Sequence, residues 1–137
     1  MYWILTHTGK PYKWGGDDAI EGFDCSGFAI EFCRITGVVK DKNFDTTAKE
    51  LYKMFPKVSQ NLGLNFGDLI YFGTPTNITH VAIVLNSDLM FEFGGGGSTT
   101  KTLADAAKQN AVGRVRPLTA RKDVIGFNRP PHLWGPT

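Results

Sequence analysis

The first half of the chain carries hydrophobic residues at helical spacing. From Asp24 to Gly37 the apolar positions Phe28, Phe32 and Ile35 recur every three or four residues, so they share one face of a predicted helix. Asp24 suits the N-cap of this helix, and Gly37 suits the position just after its end.

A second helix is predicted from Asp45 to Phe55. Asp45 would cap it, and its buried stripe would consist of Ala48, Leu51, Tyr52 and Phe55. These residues lie three or four positions apart or next to one another, as on the core-facing side of a helix.

After these helices the pattern changes to short apolar runs separated by turn residues. The runs are DLIYFG (68–73), THVAIVLN (79–86), LMFEF (89–93), VGRVRPL (112–118) and VIGFNRP (124–130). Such runs predict consecutive antiparallel strands, with one more short helix at TLADAAKQ (102–109). Helices followed by an antiparallel sheet predict an α+β fold, and the length suits a single domain over residues 1–137.

Composition limits the partners of this chain. Fifteen Lys and Arg against thirteen Asp and Glu give a formal net charge of +2, and no dense basic run indicates a nucleic-acid surface. No apolar run reaches the roughly 18 residues that predict a transmembrane helix. The start, MYWILTHTGK, lacks the basic region and the cleavage site of a secretory signal. We therefore expect no nucleic-acid partner and no membrane span.

Cys25, in the segment FDCSGF, has four candidate roles: core thiol, disulfide half, metal ligand or nucleophile. If Cys25 and Cys33 share one helix, their separation of roughly 12 Å exceeds the limit for a disulfide. No C-x-x-C or H-x-x-x-H spacing is present, so we expect no metal. A cysteine in the first turn of a helix capped by Asp24 lies where the helix dipole and free N–H groups stabilise a thiolate. A buried core thiol remains an alternative, but this context favours the nucleophile.

A cysteine nucleophile needs a base, and the chain has three histidines: His7, His80 and His132. His7 lies in or near a loop and His132 in a proline-rich tail, where solvated histidines are common. His80 opens the strand HVAIVL after a polar loop and can accept the thiol proton. Taken alone, His80 would equally suit a half-exposed position at the rim of the sheet.

Glu92 is the polar residue inside the apolar run LMFEF. If the chain turns at residues 86–88, His80 and Glu92 lie on neighbouring antiparallel strands and can face each other. A carboxylate there would orient the imidazole and fix its tautomer. On an alternating strand, Glu92 could equally face water.

Four segments, in this order, resemble the NlpC-type cell-wall cysteine peptidases, a papain-like family of bacteria and their phages. They are GKPYKWGG (9–16), FDCSGF (23–28), GDLIYF (67–72) and THVAIVL (79–85), and VIGFNRP resembles the closing strand of the family. The resemblance implies a papain-like α+β domain, with N-terminal helices packed on a central antiparallel sheet. It also implies a cysteine peptidase or amidase that requires no cofactor.

The resemblance implies a role for each candidate site residue. Cys25 would attack an amide carbonyl of a peptidoglycan stem peptide, with His80 as the general base. Glu92 stands at the third catalytic position, where the family mostly carries His and sometimes Asn or Gln. The family's substrate-contacting positions match Tyr12, Asp24 and Ser26. The bond implied is the one between D-glutamate, through its γ-carboxyl, and the diamino acid.

The alternative is a phage-tail or wall-binding structural module, or an amidase or acyltransferase that uses the same Cys–His pair. The lack of a signal sequence favours a phage or virion-associated protein, or else a domain of a larger secreted protein. We expect the chain to act at the bacterial cell wall as a monomer, alone or within a phage tail or a larger wall-acting assembly.

Overall fold

The computed structural model describes residues 17–18, 22–23, 25–39, 46–93 and 113–131. The elements are β1 (Asp17–Asp18), β2 (Gly22–Phe23), α1 (Cys25–Ile35), α2 (Ala48–Met54), β3 (Lys57–Val58), β4 (Leu69–Thr74), β5 (Asn77–Val84), β6 (Leu89–Phe93), β7 (Gly113–Pro117) and β8 (Val124–Asn128). Two 3-10 turns lie at Gln60–Leu62 and Leu118–Ala120. The helix predicted at 102–109 lies outside the described residues. Neither described helix has the length and apolar composition that a membrane span requires.

The strands confirm the predicted α+β fold. β1 and β2 pair with each other, and the other six strands form one antiparallel sheet in the order β3-β8-β4-β5-β6-β7. Strands β4 to β7 follow one another as a meander, whereas β8 returns to lie between β3 and β4.

The sheet separates two apolar clusters because side chains alternate between its faces along each strand. The helices α1 and α2 pack on one face, against Leu69, Tyr71, Val81, Ile83 and Phe91. The other face carries Ile70, Phe72, Ala82, Val84 and Met90, packed with Leu118 and Phe127. Burial of these side chains is the main source of stability for the fold.

Gly37 lies just after the end of α1, as predicted. Gly37 has a φ of 78°, a left-handed conformation that glycine adopts without steric cost. Its N–H bonds the carbonyl of Arg34 at 3.2 Å, and the N–H of Val38 bonds the carbonyl of Cys33 at 2.9 Å. This pair of bonds is the Schellman motif, which satisfies carbonyl groups of the last helical turn.

The predicted apolar stripe of α1 is correct except at its end. Phe28 and Phe32 are buried, but Ile35 is 51% exposed. The positions of α1 that pack into the cluster on this face of the sheet are Phe28, Ala29, Phe32 and Cys33, so Ile35 lies at the margin of the buried side. The next residue, Thr36, is buried in its place.

The helix α2 begins later than predicted. It starts at Ala48, and the side chain of Thr47 accepts a hydrogen bond from the N–H of Glu50 at 3.2 Å. The assignment of Asp45 as N-cap is therefore wrong. Thr47 followed three residues later by Glu50 is a capping-box sequence, which defines the start more closely than an acidic residue upstream. Of the predicted stripe, Tyr52 is only half-buried.

A β-bulge precedes His80 in the β4–β5 hairpin. Phe72 lies opposite His80, after which the extra residue Thr79 shifts the register. Gly73 has a φ of 142°, and a Cβ added to it would lie 2.3 Å from the carbonyl oxygen of Asn77. Because a backbone atom occupies that space, glycine is required here, and the bulge re-aims the start of the strand.

Candidate active site

His80 and Glu92 meet in the interior of the protein. His80 lies on β5 and Glu92 on β6, and they are 6% and 2% exposed. The Nε2 atom of His80 lies 2.8 Å from Oε2 of Glu92. The structure therefore brings together the predicted base and its predicted orienting carboxylate.

The two side chains lie where β5 and β6 separate. The backbone pairing of these strands stops at Ile83 and Phe91 within the part of the chain that the structure describes. If that register continued, Glu92 would lie opposite Ala82, which makes His80 its diagonal neighbour on the same face. Beyond the last pair, β5 continues along β4 and β6 along β7. The site thus occupies an opening at the end of the β5–β6 ladder.

Glu92 also binds an arginine from the next strand. Nη1 of Arg116, on β7, donates a hydrogen bond to Oε1 of Glu92 at 3.0 Å. Burial opposes ionisation of this carboxyl, but the hydrogen bonds and charges of His80 and Arg116 outweigh it and hold the pKa of Glu92 below its ordinary value. Glu92 is therefore a carboxylate at neutral pH, with each oxygen bonded to a different partner.

The Glu92 contact assigns the two nitrogens of the imidazole. A carboxylate beside Nε2 favours the tautomer with its proton on Nε2, so that Nδ1 is the nitrogen that can exchange a proton with a thiol. The ring of Phe72 lies 5.5 Å from the imidazole, centroid to centroid, and the guanidinium of Arg121 lies over that ring at 4.7 Å. Arg121 in turn pairs with Asp123 through two hydrogen bonds of 2.9 and 2.7 Å. The hydrogen bond from Arg121, aided by the charges of Arg121 and His80, lowers the pKa of Asp123.

The direction of α1 places its N-terminus toward this end of the sheet. Phe28 packs against Phe91 at a centroid distance of 5.3 Å, and Phe32 packs against Phe66 at 6.0 Å. Phe66 lies just before β4, at the end of the sheet where the β5–β6 hairpin turns, so the helix runs from the His80 end toward the turn. The helix starts at Cys25, one turn before Phe28.

The remaining predicted residues lie partly outside the described structure. Cys25 and Ser26 form the first positions of α1, but their side chains are not among those described. Tyr12 and Asp24 lie outside the described residues. The other cysteine, Cys33, is a free thiol with no exposed surface, and burial raises its pKa to about 12. Both cysteines lie on α1. This meets the condition under which a disulfide between them was excluded.

Comparison with known proteins establishes the family. The sequence matches the NlpC/P60 family over residues 9–116, which is most of the chain. The chain belongs to the NlpC/P60 family. The resemblance noted in the sequence motifs is thereby confirmed.

Relatives within the NlpC/P60 family include named enzymes of the cell wall. The bifunctional muramidase/DL-endopeptidase CwlT of Bacillus subtilis (strain 168) is 33% identical over 96 residues, which cover 68% of this chain and 28% of that protein. The murein DD-endopeptidase MepH of Escherichia coli (strain K12) is 28% identical over 124 residues, which cover 86% of this chain and 45% of that protein. The chain therefore spans less than half the length of these two relatives.

A solved structure of the NlpC/P60 family has the same fold. The crystal structure of the NlpC/p60 domain of the peptidoglycan hydrolase SagA superposes with a TM-score of 0.64 at 25% identity, and the match covers 91% of each chain. The names endopeptidase and peptidoglycan hydrolase agree with the predicted class of enzyme, a cell-wall peptidase. They also agree with action at the cell wall.

The contact of Arg116 with the site was not predicted from the sequence. On the alternating run VGRVRPL, an arginine suits a solvated position, and nothing in that run alone distinguishes Arg116 from Arg114. A signal was nevertheless present, because a buried Glu92 requires a countercharge in addition to a histidine that is neutral part of the time. Among the described residues of this NlpC/P60 chain, no cluster of three or more His, Cys, Asp or Glu could hold a metal ion.

Replacing Glu92 with glutamine should make the free energy of unfolding less dependent on pH in the acid range. Because the pKa of Glu92 is lowered by folding, its ionised form stabilises the folded state above its ordinary pKa of about 4.3, and this contribution is lost as the pH falls through the folded value. Urea unfolding should show Glu92→Gln destabilised by about 1–3 kcal/mol at pH 7, with the gap narrowing below about pH 4. Glu50→Gln, an exposed change on α2, is the control and should differ little from the wild type at either pH. If the difference in the free energy of unfolding between Glu92→Gln and the wild type stays constant from pH 7 to pH 3, the pKa of Glu92 is not lowered by folding.

Proposed function

We propose that the chain is a cysteine endopeptidase of peptidoglycan stem peptides, in which residues 1–137 form one domain. In this proposal Cys25 is the nucleophile, His80 the general base and Glu92 the residue that orients His80. The buried hydrogen bond between His80 and Glu92, at the end of the sheet toward which the start of α1 points, is the observation that carries it. The names of the relatives CwlT and MepH support the same class of substrate.

The proposed reaction begins with proton transfer from the thiol of Cys25 to Nδ1 of His80. The thiolate adds to the carbonyl carbon of the scissile amide, and its negative charge passes to the carbonyl oxygen. Backbone N–H groups at the start of α1 can stabilise that oxyanion, because the first N–H groups of a helix have no partner within it. When the C–N bond breaks, the imidazolium of His80 gives its proton to the leaving amine, and a thioester remains on Cys25.

A water molecule completes the cycle. His80, now neutral, removes a proton from the water, which adds to the thioester carbonyl, and the carboxylic acid product leaves as Cys25 is released. Glu92 stabilises the imidazolium whenever His80 is charged, and through Nε2 it keeps Nδ1 directed at the reacting atoms. The Cys25–His80 contact would form at the opening beyond the last β5–β6 backbone pair.

Three residues are proposed to hold the substrate, on the basis of the family resemblance: Tyr12, Asp24 and Ser26. The carboxylate of Asp24 would pair with the free ammonium group of a stem peptide, and the hydroxyl of Ser26 would assist. Tyr12 would donate a hydrogen bond near the scissile carbonyl.

The bond that we propose is the one joining the γ-carboxyl of D-glutamate to the diamino acid. The names of the relatives support two classes of bond, since CwlT is a DL-endopeptidase and MepH a DD-endopeptidase. The resemblance of the motifs around Cys25 and His80 to the NlpC-type peptidases supports the bond at D-glutamate.

Mass spectrometry of digested wall material tests this proposal. We expect purified peptidoglycan containing diaminopimelate, incubated with the protein, to release fragments that end at D-glutamate and fragments that begin with the diamino acid. New ends solely at D-alanine would replace the proposed bond by a DD cross-link, and release of intact stem peptides from muramic acid would make the protein an amidase. Unchanged wall material over a broad range of pH would contradict the enzymatic proposal.

A further inference from the structure

Arg116 holds the side of Glu92 that His80 does not. The side chain of Glu92 is 1% exposed, and its Oε1 atom accepts a hydrogen bond of 3.0 Å from Nη1 of Arg116, while Oε2 faces His80 at 2.8 Å. The side chain of Arg116 is 32% exposed, so part of it contacts solvent. The contact therefore joins a buried carboxylate to a cation at the surface of β7.

This contact matters because the charge of His80 changes during the proposed reaction. While His80 is an imidazolium, Glu92 has a charged partner in it. When His80 is neutral, Arg116 is the cation that the structure shows hydrogen-bonded to this almost fully buried carboxylate, and a buried unpaired charge is strongly destabilising. An arginine remains protonated throughout the accessible pH range, so Arg116 keeps Glu92 ionised in both states of His80.

We propose that Arg116 is a positioning residue, which fixes the Glu92 carboxylate against Nε2 of His80 and sets the pH range over which His80 acts. This inference rests on the proposed function of His80 as the base. Its effect passes through Glu92, because the recorded contact of Arg116 at this site is with the carboxylate.

Other charged groups face the site and must be separated from Arg116. On β7, Arg114 lies directly opposite Glu92 in the strand register, yet among the described residues no hydrogen bond joins their side chains. Beyond Phe72 lies the pair of Arg121 and Asp123, and the start of α1 adds the proposed thiolate of Cys25. Arg114 thus provides a matched control: the same residue type, on the same strand and the same face, without the bond.

The first experiment follows the titration of His80 by NMR in a Cys25→Ala background, which removes the coupled thiol. Loss of the positive charge in Arg116→Gln should raise the titration midpoint of His80 by about 0.5 unit, since Glu92 then acts on the imidazolium without opposition. Glu92→Gln should lower the midpoint by about 1 unit. Arg116→Lys should stay near the reference, and Arg114→Gln should shift the midpoint less than Arg116→Gln does. Equal shifts in Arg114→Gln and Arg116→Gln would overturn the proposal, because a general effect of charge would then explain both.

The second experiment compares kcat/KM against pH in the intact protein. For Arg116→Gln we expect the whole profile to move to higher pH, with about a 10-fold loss at the wild-type optimum, and Arg116→Lys should recover most of it. In the Glu92→Gln background, adding Arg116→Gln should cost much less than it does alone, because the two residues act as a unit. Three results together would show that Arg116 is only a structural ion pair. The 10-fold loss of kcat/KM would come without a shift of the pH profile, Arg116→Lys would not recover it, and the effects of Arg116→Gln and Glu92→Gln would simply add.

The two experiments also separate this inference from the proposed function. A wild-type protein that lacks hydrolase activity but shows the expected shifts of His80 would refute the function and retain the role of Arg116. An active enzyme in which Arg116→Gln leaves the titration midpoint of His80 unchanged would support the function and refute the role of Arg116.

Discussion

Replacing Cys25 with alanine will lower the rate of peptidoglycan hydrolysis by at least about 10³-fold, because the acyl-enzyme of the proposed mechanism forms on its thiol. Alanine is a strong helix former, so the start of α1 at this position should be kept. Release of soluble fragments from purified peptidoglycan measures the rate, and circular dichroism checks that the variant is folded.

The other cysteine provides the matched control. Cys33 lies on the same helix with no exposed surface, and its pKa of about 12 keeps it a protonated thiol at neutral pH. Cys33→Ala should therefore retain hydrolysis, at a cost in stability of about 1–2 kcal/mol for the lost packing. Iodoacetamide should label the wild type and Cys33→Ala equally, and Cys25→Ala hardly at all. Full activity in Cys25→Ala would end the case for a cysteine mechanism.

Replacing Asn128 with alanine will produce the largest loss of stability that we expect from a single polar side chain, about 2–4 kcal/mol. Asn128 is fully buried on β8, and its Oδ1 accepts a hydrogen bond from the hydroxyl of Tyr71 at 3.1 Å. Its Nδ2 donates to the carbonyl oxygens of Leu51 and Tyr52, at 3.0 and 3.1 Å, in the last turn of α2. Alanine would leave a cavity, and it would remove the acceptor of the buried Tyr71 hydroxyl and the donor to the Leu51 carbonyl, whereas the Tyr52 carbonyl keeps its bond from Lys57. Urea unfolding at pH 7 measures the change.

One further substitution at position 128 separates hydrogen bonding from volume, and one at Arg121 provides a reference. Asn128→Asp keeps the size but puts an oxygen where Nδ2 donates to two carbonyls, so it should also be destabilising and should unfold at lower urea than the wild type. Arg121→Ala breaks the partly exposed ion pair with Asp123 and should cost less than about 1 kcal/mol. If Asn128→Ala costs no more than Arg121→Ala, the network that ties α2 to β8 contributes little.

Local pattern was sufficient to predict the elements that position the site. The apolar runs gave β4, β5 and β6, and the motif around Cys25 placed the start of a helix there, because these signals depend on neighbours along the chain. Glu92 was recognisable as a polar residue within an apolar strand. Its contact with His80 followed from a short turn, which allows few registers.

Features that depend on distant parts of the chain were not predictable in this way. The position of β8 between β3 and β4 and the ion pair of Arg116 with Glu92 both arise from pairing across the sheet. The exposure of Ile35 depends on which side of α1 faces the sheet. The start of α2 is a different case, because the capping sequence of Thr47 and Glu50 is a local signal that the prediction of Asp45 as the cap did not use.

The strand order has a consequence for how the protein is made. Because β8 pairs with both β3 and β4, the ribosome must release residues 124–128 before the sheet can be completed. Until then the nascent chain holds β4 with one unpaired edge, whose residues are largely apolar and suited to pairing with another chain. Folding through such distant contacts is expected to take milliseconds to seconds, which makes synthesis the stage at which this protein is most exposed to aggregation.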